Sequence, residues 1–431
     1  MKKLKAILIG AGLRGITYTD FIAENRDKFE LVAVAEPADS SRNYIKKKHA
    51  LSNGLCFTDY KPLLEKGKIA DVAIIATMDR DHFEPVMEAI RLGYDILLEK
   101  PIAPTPRECE AITSLAEKMG SRILVCHVLR FTPFFVALKE IIDSGKIGEV
   151  VSISQIECVG NEHQSHSFVR GNWGNEEKSS FMLLQKSCHD MDILQWLIGT
   201  ECRQVQSFGS LTYFTEKNAP NGAPDYCIEG CPVGETCPYN AVKLYLKSDS
   251  DWFRSASTKM VNPNDDDVKK AISSTQYGKC VFRCDNNVVD HQVVNLLFDG
   301  GVTVSFTMCA FNKGGRTIHI MGTKGEIEAR LEDNKPIQIY TFADKSVSEY
   351  DYAAMGGEGQ AGGHSGGDEG IMEAFYNYIA NGTAGKNICT VERSLKNHYI
   401  AFAAEHSRRS GTVINVEDYM NSIKNEEDYS I

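Results

Sequence analysis

A short apolar run, Lys5-Ala6-Ile7-Leu8-Ile9, leads at once into Gly10-Ala11-Gly12-Leu13-Arg14-Gly15 and then into a helical pattern through Tyr18, Phe21 and Ile22. Strand, glycine turn and helix in that order leave few folds open. Gly10 permits a tight turn, Gly12 lets backbone approach a pyrophosphate, and Gly15 allows the helix to pack closely on the strand, with phosphates resting on the helix N-terminus. A second apolar run over residues 31–35 ends in Glu36, about 20 residues after the last glycine, where a carboxylate holds ribose hydroxyls. Such a carboxylate repels a 2′-phosphate, which favours NAD over NADP, although Arg42 is near enough in sequence to serve a phosphate.

The alternation continues with an apolar run over residues 72–76 ending at Thr77, a helix through Val86 and Ile90, and a fourth strand ending at Glu99-Lys100-Pro101. Parallel strands bring their C-terminal ends to the ligand crevice. The cofactor-binding set read from this pattern is Gly10, Gly12, Leu13, Arg14, Glu36, Thr77, His82, Glu99, Lys100 and Arg130. Lys100 reads in two ways: as a partly desolvated ammonium with a lowered pKa suited to proton transfer, or as a solvated lysine in a turn before Pro101.

At 431 residues the chain needs more than one core. We divide it into a Rossmann domain over residues 1–125 and a second domain over 126–431, with an insertion at about 213–277. With 47 basic against 58 acidic residues the net charge is −11, and the basic residues are scattered, which excludes nucleic acid as the expected partner. No run of about 18 apolar residues occurs, so no membrane span is expected. The lysine-rich start resembles a signal peptide, but Gly10-Ala11-Gly12 cuts its apolar stretch short. The expected location is the cytoplasm, with the thirteen cysteines as reduced thiols or metal ligands.

In the second domain, residues 181–198 read as one helix with Met191, Leu194, Leu197 and Ile198 on an apolar side. Gln185, His189, Asp192 and Trp196 form a polar stripe at helical spacing, and Lys186 lies within a turn of His189. Upstream, residues 161–175 gather His163, His166, Arg170, Asn172 and Trp173, donors and an aromatic ring that suit sugar recognition. His291 beside Asp290, and His364 in the loop Gly362-Gly363-His364-Ser365-Gly366-Gly367-Asp368, complete the expected substrate set of His166, Arg170, Trp173, Gln185, Lys186, Asp192, His291 and His364. The insertion carries Cys227-x3-Cys231-x5-Cys237, and Cys280-x3-Cys284 follows it. Three local thiolates plus Cys284, or Cys280 in its place, would make a structural zinc site; an iron–sulfur cluster and free thiols are the alternatives.

The glycine motif, Glu99-Lys100-Pro101, Arg130-Phe131-Thr132-Pro133, His189-Asp190-Met191-Asp192 and Gly322-Thr323-Lys324-Gly325 together resemble the Gfo/Idh/MocA family of oxidoreductases. The resemblance implies an N-terminal Rossmann domain and a C-terminal α/β domain with an open, mainly antiparallel sheet, often assembling as a homodimer or homotetramer. It implies sugars, cyclitols or their derivatives as substrates and NAD as cofactor. It further implies that Lys100 touches both nicotinamide ribose and substrate, with His189 as its catalytic partner. Where the inositol-dehydrogenase-like branch has an Asp four residues before that histidine, this chain has Gln185. Three functions follow as expectations: net hydride transfer from a secondary alcohol, a redox-neutral NAD-dependent glycosidase, or a non-catalytic cofactor-binding regulator.

Overall fold

Six strands, β1 (Leu4–Ile9), β2 (Phe29–Ala35), β3 (Cys56–Phe57), β4 (Val72–Ile75), β5 (Asp95–Leu98) and β6 (Ile123–Val125), pair in parallel in the order β3-β2-β1-β4-β5-β6. The computed structural model describes residues 2–333, 335–352 and 366–425. Helices cover both faces of this sheet, so its strands are continuous apolar runs; every residue of β4 is buried. Strand order reverses between β1 and β4, and the crevice opens there at the strands' C-terminal ends.

The second sheet has nine strands: β7 (Val150–Cys158), β8 (Cys202–Ser210), β9 (His291–Phe298), β10 (Thr303–Cys309), β11 (Gly315–Gly322), β12 (Gly325–Arg330), β13 (Ile337–Thr341), β14 (Ser346–Tyr350) and β15 (Ile414–Asn415). They run in the order β14-β13-β12-β11-β7-β10-β9-β8-β15, and only β7 and β10 pair in parallel. One face is packed and the other open, as strict alternation requires: in β9, Gln292, Val294, Leu296 and Phe298 are buried while the residues between them are not. Helices Cys188–Ile198 and Val391–Ser410 lie against the packed face.

The first sheet's core also draws on a late segment. Ile371, Met372, Phe375 and Tyr376 of helix Gly367–Asn381 join the apolar cluster of Leu4, Ala6, Leu8 and Tyr18. The helix expected over 181–198 is broken: a short helix Met182–Gln185 stops, Lys186 and Ser187 make a turn, and helix Cys188–Ile198 begins. That break takes Gln185 out of the stripe drawn through His189.

Candidate active site

The glycine loop has the geometry its sequence requires. Gly10 has φ +89°, and a Cβ there would meet the Ala76 carbonyl oxygen at 2.6 Å; a Cβ on Gly15 would lie 2.1 Å from the Gly10 carbonyl oxygen. Nothing lies within 4 Å of the position a Gly12 Cβ would take, so this side of the loop is open to a ligand. Gly12 caps helix Leu13–Glu24 without a side-chain hydrogen bond, which leaves the helix N-terminus suited to phosphates. Glu36 reaches back to this loop, accepting the Ala11 N–H at 2.6 Å and the Ala38 N–H at 2.7 Å. Arg42 donates to the Glu36 carbonyl oxygen at 2.6 Å and pairs with Asp39, while Leu13 stands exposed at the loop tip. The open Gly12, the uncapped helix and Glu36 fit a dinucleotide.

Other residues expected at the cofactor are committed elsewhere. Arg14 turns inward: Nε donates to Glu99 at 2.7 Å, and Nη2 donates to Tyr18 Oη and Asp368 Oδ1, each at 2.6 Å. Burial opposes the Glu99 charge, yet Arg14 and the Tyr18 hydroxyl hold its carboxyl below the ordinary range. Arg14 therefore ties the glycine-loop helix to β5 and to helix Gly367–Asn381. Thr77 donates its hydroxyl to the Asp81 carbonyl at 2.9 Å. The buried His82 ring spans two carbonyls, Pro101 at 2.7 Å and Thr77 at 3.2 Å, bracing the crevice wall.

Across the crevice, Lys100, at a cis peptide bond to Pro101, donates from Nζ to the Gln185 carbonyl oxygen at 2.5 Å. Lys100 thus meets the second domain at the turn that starts the His189 helix. The Gln185 amide donates to the Trp173 carbonyl at 3.0 Å, and the Trp173 indole donates to Asp79 at 3.2 Å. Ser180 donates to the other Asp79 oxygen at 2.9 Å. Asp79, which the sequence reading passed over, is thereby a first-domain anchor for the substrate-side wall. His189 is 6% exposed, with its ring edge-on to His127 at 5.8 Å.

Asp192 and Arg130 depart from expectation. Arg130 Nε and Nη2 each donate to the Asp192 carboxylate at 2.7 Å, and Asn397 adds a third donor. Asp192 is fully buried and Arg130 3% exposed, so the pair forms a clamp within the core, where each satisfies the other. His127 and Cys389 lie close to Asp192. Trp196 completes the clamp beneath the Arg130 guanidinium at 5.5 Å.

Lys186 joins a buried charged layer that sequence reasoning missed. Its Nζ lies 3.1 Å from Glu157, Arg316 lies 2.7 Å from Glu157 and 3.0 Å from Asp190, and Gln155 donates to Asp190 at 2.8 Å. Gln155 and Glu157 sit at alternate inward positions of β7, and Arg316 on the adjacent β11. Burial lowers the Lys186 ammonium against the pull of Glu157, and burial raises the Asp190 carboxyl against Arg316. Half-buried His163 feels this layer: burial, then Lys186, His166, Arg316 and Lys100, hold its imidazole neutral. Polar residues at successive inward positions of β7, Gln155 and Glu157, were the available signal.

Three more expectations change. His166 is 2% exposed, bonded to Tyr245 at 3.0 Å and stacked on Tyr277 at 5.4 Å, so it belongs to the core of the insertion. Burial and Arg170 push its pKa down to about 3. Arg170 is buried within the cysteine-rich region. His291 occupies an outward position on β9 and binds Asp290 at 2.8 Å, while Asp290 caps the base of the insertion through the Thr212 and Tyr213 N–H groups. His364 lies outside the described residues.

Fold and crevice define a dinucleotide-binding oxidoreductase with a substrate domain. Residues 4–127 match the family model "Oxidoreductase family, NAD-binding Rossmann fold" and residues 139–416 match "Oxidoreductase family, C-terminal alpha/beta domain"; the chain belongs to the Gfo/Idh/MocA family. It is 26% identical over 321 residues to Bacillus subtilis YteT, a protein named as an oxidoreductase, covering 71% of this chain and 72% of that one. It is 26% identical over 206 residues to the inositol 2-dehydrogenase of Salmonella typhimurium, covering 48% of this chain and 57% of that enzyme. The scyllo-inositol dehydrogenase of Lactobacillus casei, solved with NAD(H) and scyllo-inositol, shares the fold with a TM-score of 0.64 at 16% identity, covering 96% of this chain and all of that one. Among the described residues no helix is long and apolar enough to cross a membrane.

Proposed function

We propose that the protein is an NAD-dependent dehydrogenase that transfers hydride between a secondary alcohol carbon of a sugar, glycoside or cyclitol and the nicotinamide. The observation that carries this reading is the position of Lys100: its ammonium stands at the crevice and bonds the Gln185 carbonyl, four residues before His189. NAD, when bound, supplies the hydride acceptor. Gly10, Gly12, Leu13 and Glu36 would hold its pyrophosphate and adenosine ribose. Lys100 and His189 flank the reacting hydroxyl, orient it and manage its proton. His163 and Lys186 supply further donors on the substrate side, while Trp173, fixed by Asp79, forms the adjoining wall. Hydride transfer is tested by following NADH formation while sugars and cyclitols are screened; no NADH with any polyol that stabilises the NAD-bound protein overturns net oxidation.

One contact favours a second reading, the redox-neutral glycosidase. The Val261 N–H of the insertion donates to Ser40 Oγ at 3.4 Å, on the helix that follows Glu36. An insertion that reaches the first domain close to Glu36 suits a cofactor retained between turnovers. Glycoside cleavage without net NADH release would select this reading. A regulator would need neither Lys100 nor His189 for its effect. The open face of the large sheet exposes Ile156 and Phe208, which supports a homodimer or homotetramer, and we place the protein in the cytoplasm.

A further inference from the structure

The insertion brings together four cysteines that the proposed reaction does not use. Cys227, Cys231, Cys237 and Cys280 line one small void together with Arg170 and Tyr239. The two cysteine segments are pinned by backbone: Tyr226 and Lys279 form a β-bridge, and the Cys280 N–H donates to the Asp225 carbonyl at 2.8 Å. Cys284 is not part of the lining; its thiol donates to the Cys280 carbonyl at 3.3 Å. All four lining thiols are free.

Arg170 makes this more than a cysteine cluster. It is 1% exposed, yet among the described residues it forms no ion pair with a carboxylate. Nε donates to the Lys279 carbonyl and Nη2 to the Tyr239 carbonyl, each at 2.7 Å, and Nη2 also lies 3.6 Å from Cys227 Sγ. Among the described residues Nη1 has no hydrogen-bond partner, and the Tyr245 hydroxyl, a neutral group, also interacts with the guanidinium. A guanidinium taken from water without a counter-charge is strongly destabilised, so its surroundings should hold negative charge. Four thiolates on a single zinc, or on an iron–sulfur cubane in its oxidised form, carry a net charge of about −2, with sulfur as the acceptor Arg170 faces.

We propose that Cys227, Cys231, Cys237 and Cys280 bind a thiolate metal centre, with Arg170 as its buried counter-cation. The centre staples the insertion to the active-site wall, because Arg170 ends the segment Gln164–Arg170 that runs directly into Asn172 and Trp173. Zinc and iron–sulfur share this chemistry and differ in size: a single zinc draws each sulfur to about 2.3 Å and so would have to pull these thiols together, since among the described residues no three of them lie within 4.8 Å of one another, whereas a cubane keeps the sulfurs well apart, as they stand here.

The test is metal and sulfide analysis of the full chain purified without oxygen or chelator. About one zinc per chain with no visible absorption identifies zinc, and about four iron and four sulfide with a broad visible band identify a cubane; either result supports the proposal. Cys280→Ser should lose the metal and Cys284→Ser keep it. Arg170→Met should release metal to a chelator at least tenfold faster than wild type, and Arg170→Lys should fall between. Where a cysteine variant fails to fold, wild-type protein dialysed against chelator gives the same information through its melting temperature, which should drop and recover on adding back the metal. The proposal is overturned if the protein is metal-free as purified and neither zinc nor ferrous iron with sulfide raises its melting temperature, or if Cys284→Ser loses the metal while Cys280→Ser retains it.

Discussion

The Lys100 ammonium, just past the end of a first-domain strand, donates to the Gln185 carbonyl oxygen of the second domain at 2.5 Å, so one hydrogen bond spans the junction at which we propose that substrate binds. This geometry assigns different burdens to Lys100 and His189. Loss of a general acid or base lowers rate by about 10²–10⁴-fold, whereas loss of a purely binding contact raises KM at constant kcat. Lys100→Met and His189→Ala should both lower the single-turnover rate with NAD prebound. Only Lys100→Met should also weaken NAD binding. Wild-type rates in both variants would remove both residues from the chemistry.

Glu36 carries two tasks that one variant separates. Its carboxylate holds the Ala11 and Ala38 N–H groups, a structural duty owed to either cofactor. Its proposed ribose contact is owed to NAD alone, since a carboxylate repels a 2′-phosphate. Glu36→Ala should therefore weaken NAD by more than it weakens NADP. Equal losses measured by calorimetry would leave Glu36 only the loop-bracing duty.

The Rossmann half was legible because its determinants are local. Gly15 is fixed within the glycine turn by the Gly10 carbonyl, the Gly10 turn carries its own local signature although its close neighbour Ala76 is remote in sequence, and parallel strands announce themselves as apolar runs. The second half was legible only in outline, because the same residue types serve core and site. His166 and Arg170 looked like sugar-binding donors, yet the insertion's own carbonyls and phenols engage them. Asp192 looked site-facing by helical spacing, and a partner 62 residues away, Arg130, makes it a core residue. Glu157 and Arg316 escaped notice because their pairing is across strands, a relation no local pattern contains.

The reassignment of Asp192 has a direct test. Asp192→Asn removes the charge that neutralises buried Arg130, and breaking a buried pair by one partner typically costs about 3–5 kcal/mol. The melting temperature should fall by several degrees or more. KM for substrate, measured well below that temperature, should stay near wild type. A variant of wild-type stability with a raised KM would return Asp192 to the substrate site.

Acid sensitivity follows from histidines buried in the neutral form. Burial, which outweighs the attraction of Asp192, lowers the His127 pKa to about 4; burial followed by His127 lowers that of His398 to about 3, and burial followed by Arg170 lowers that of His166 to about 3. Unfolded histidine titrates near 6.5, so below that pH the unfolded chain binds protons that the folded chain refuses. The sign is therefore a loss of stability on acidification: the contribution is complete above about pH 6.5 and declines as pH falls toward the folded values. Each histidine contributes on the order of 1–2 kcal/mol to that loss by pH 5. Denaturant midpoints measured from pH 7.5 to 5 should fall steadily, and His166→Phe, which keeps a ring against Tyr277, should flatten the slope relative to wild type. A pH-independent midpoint over this range would mean that these rings are protonated, or open to water, in the folded protein.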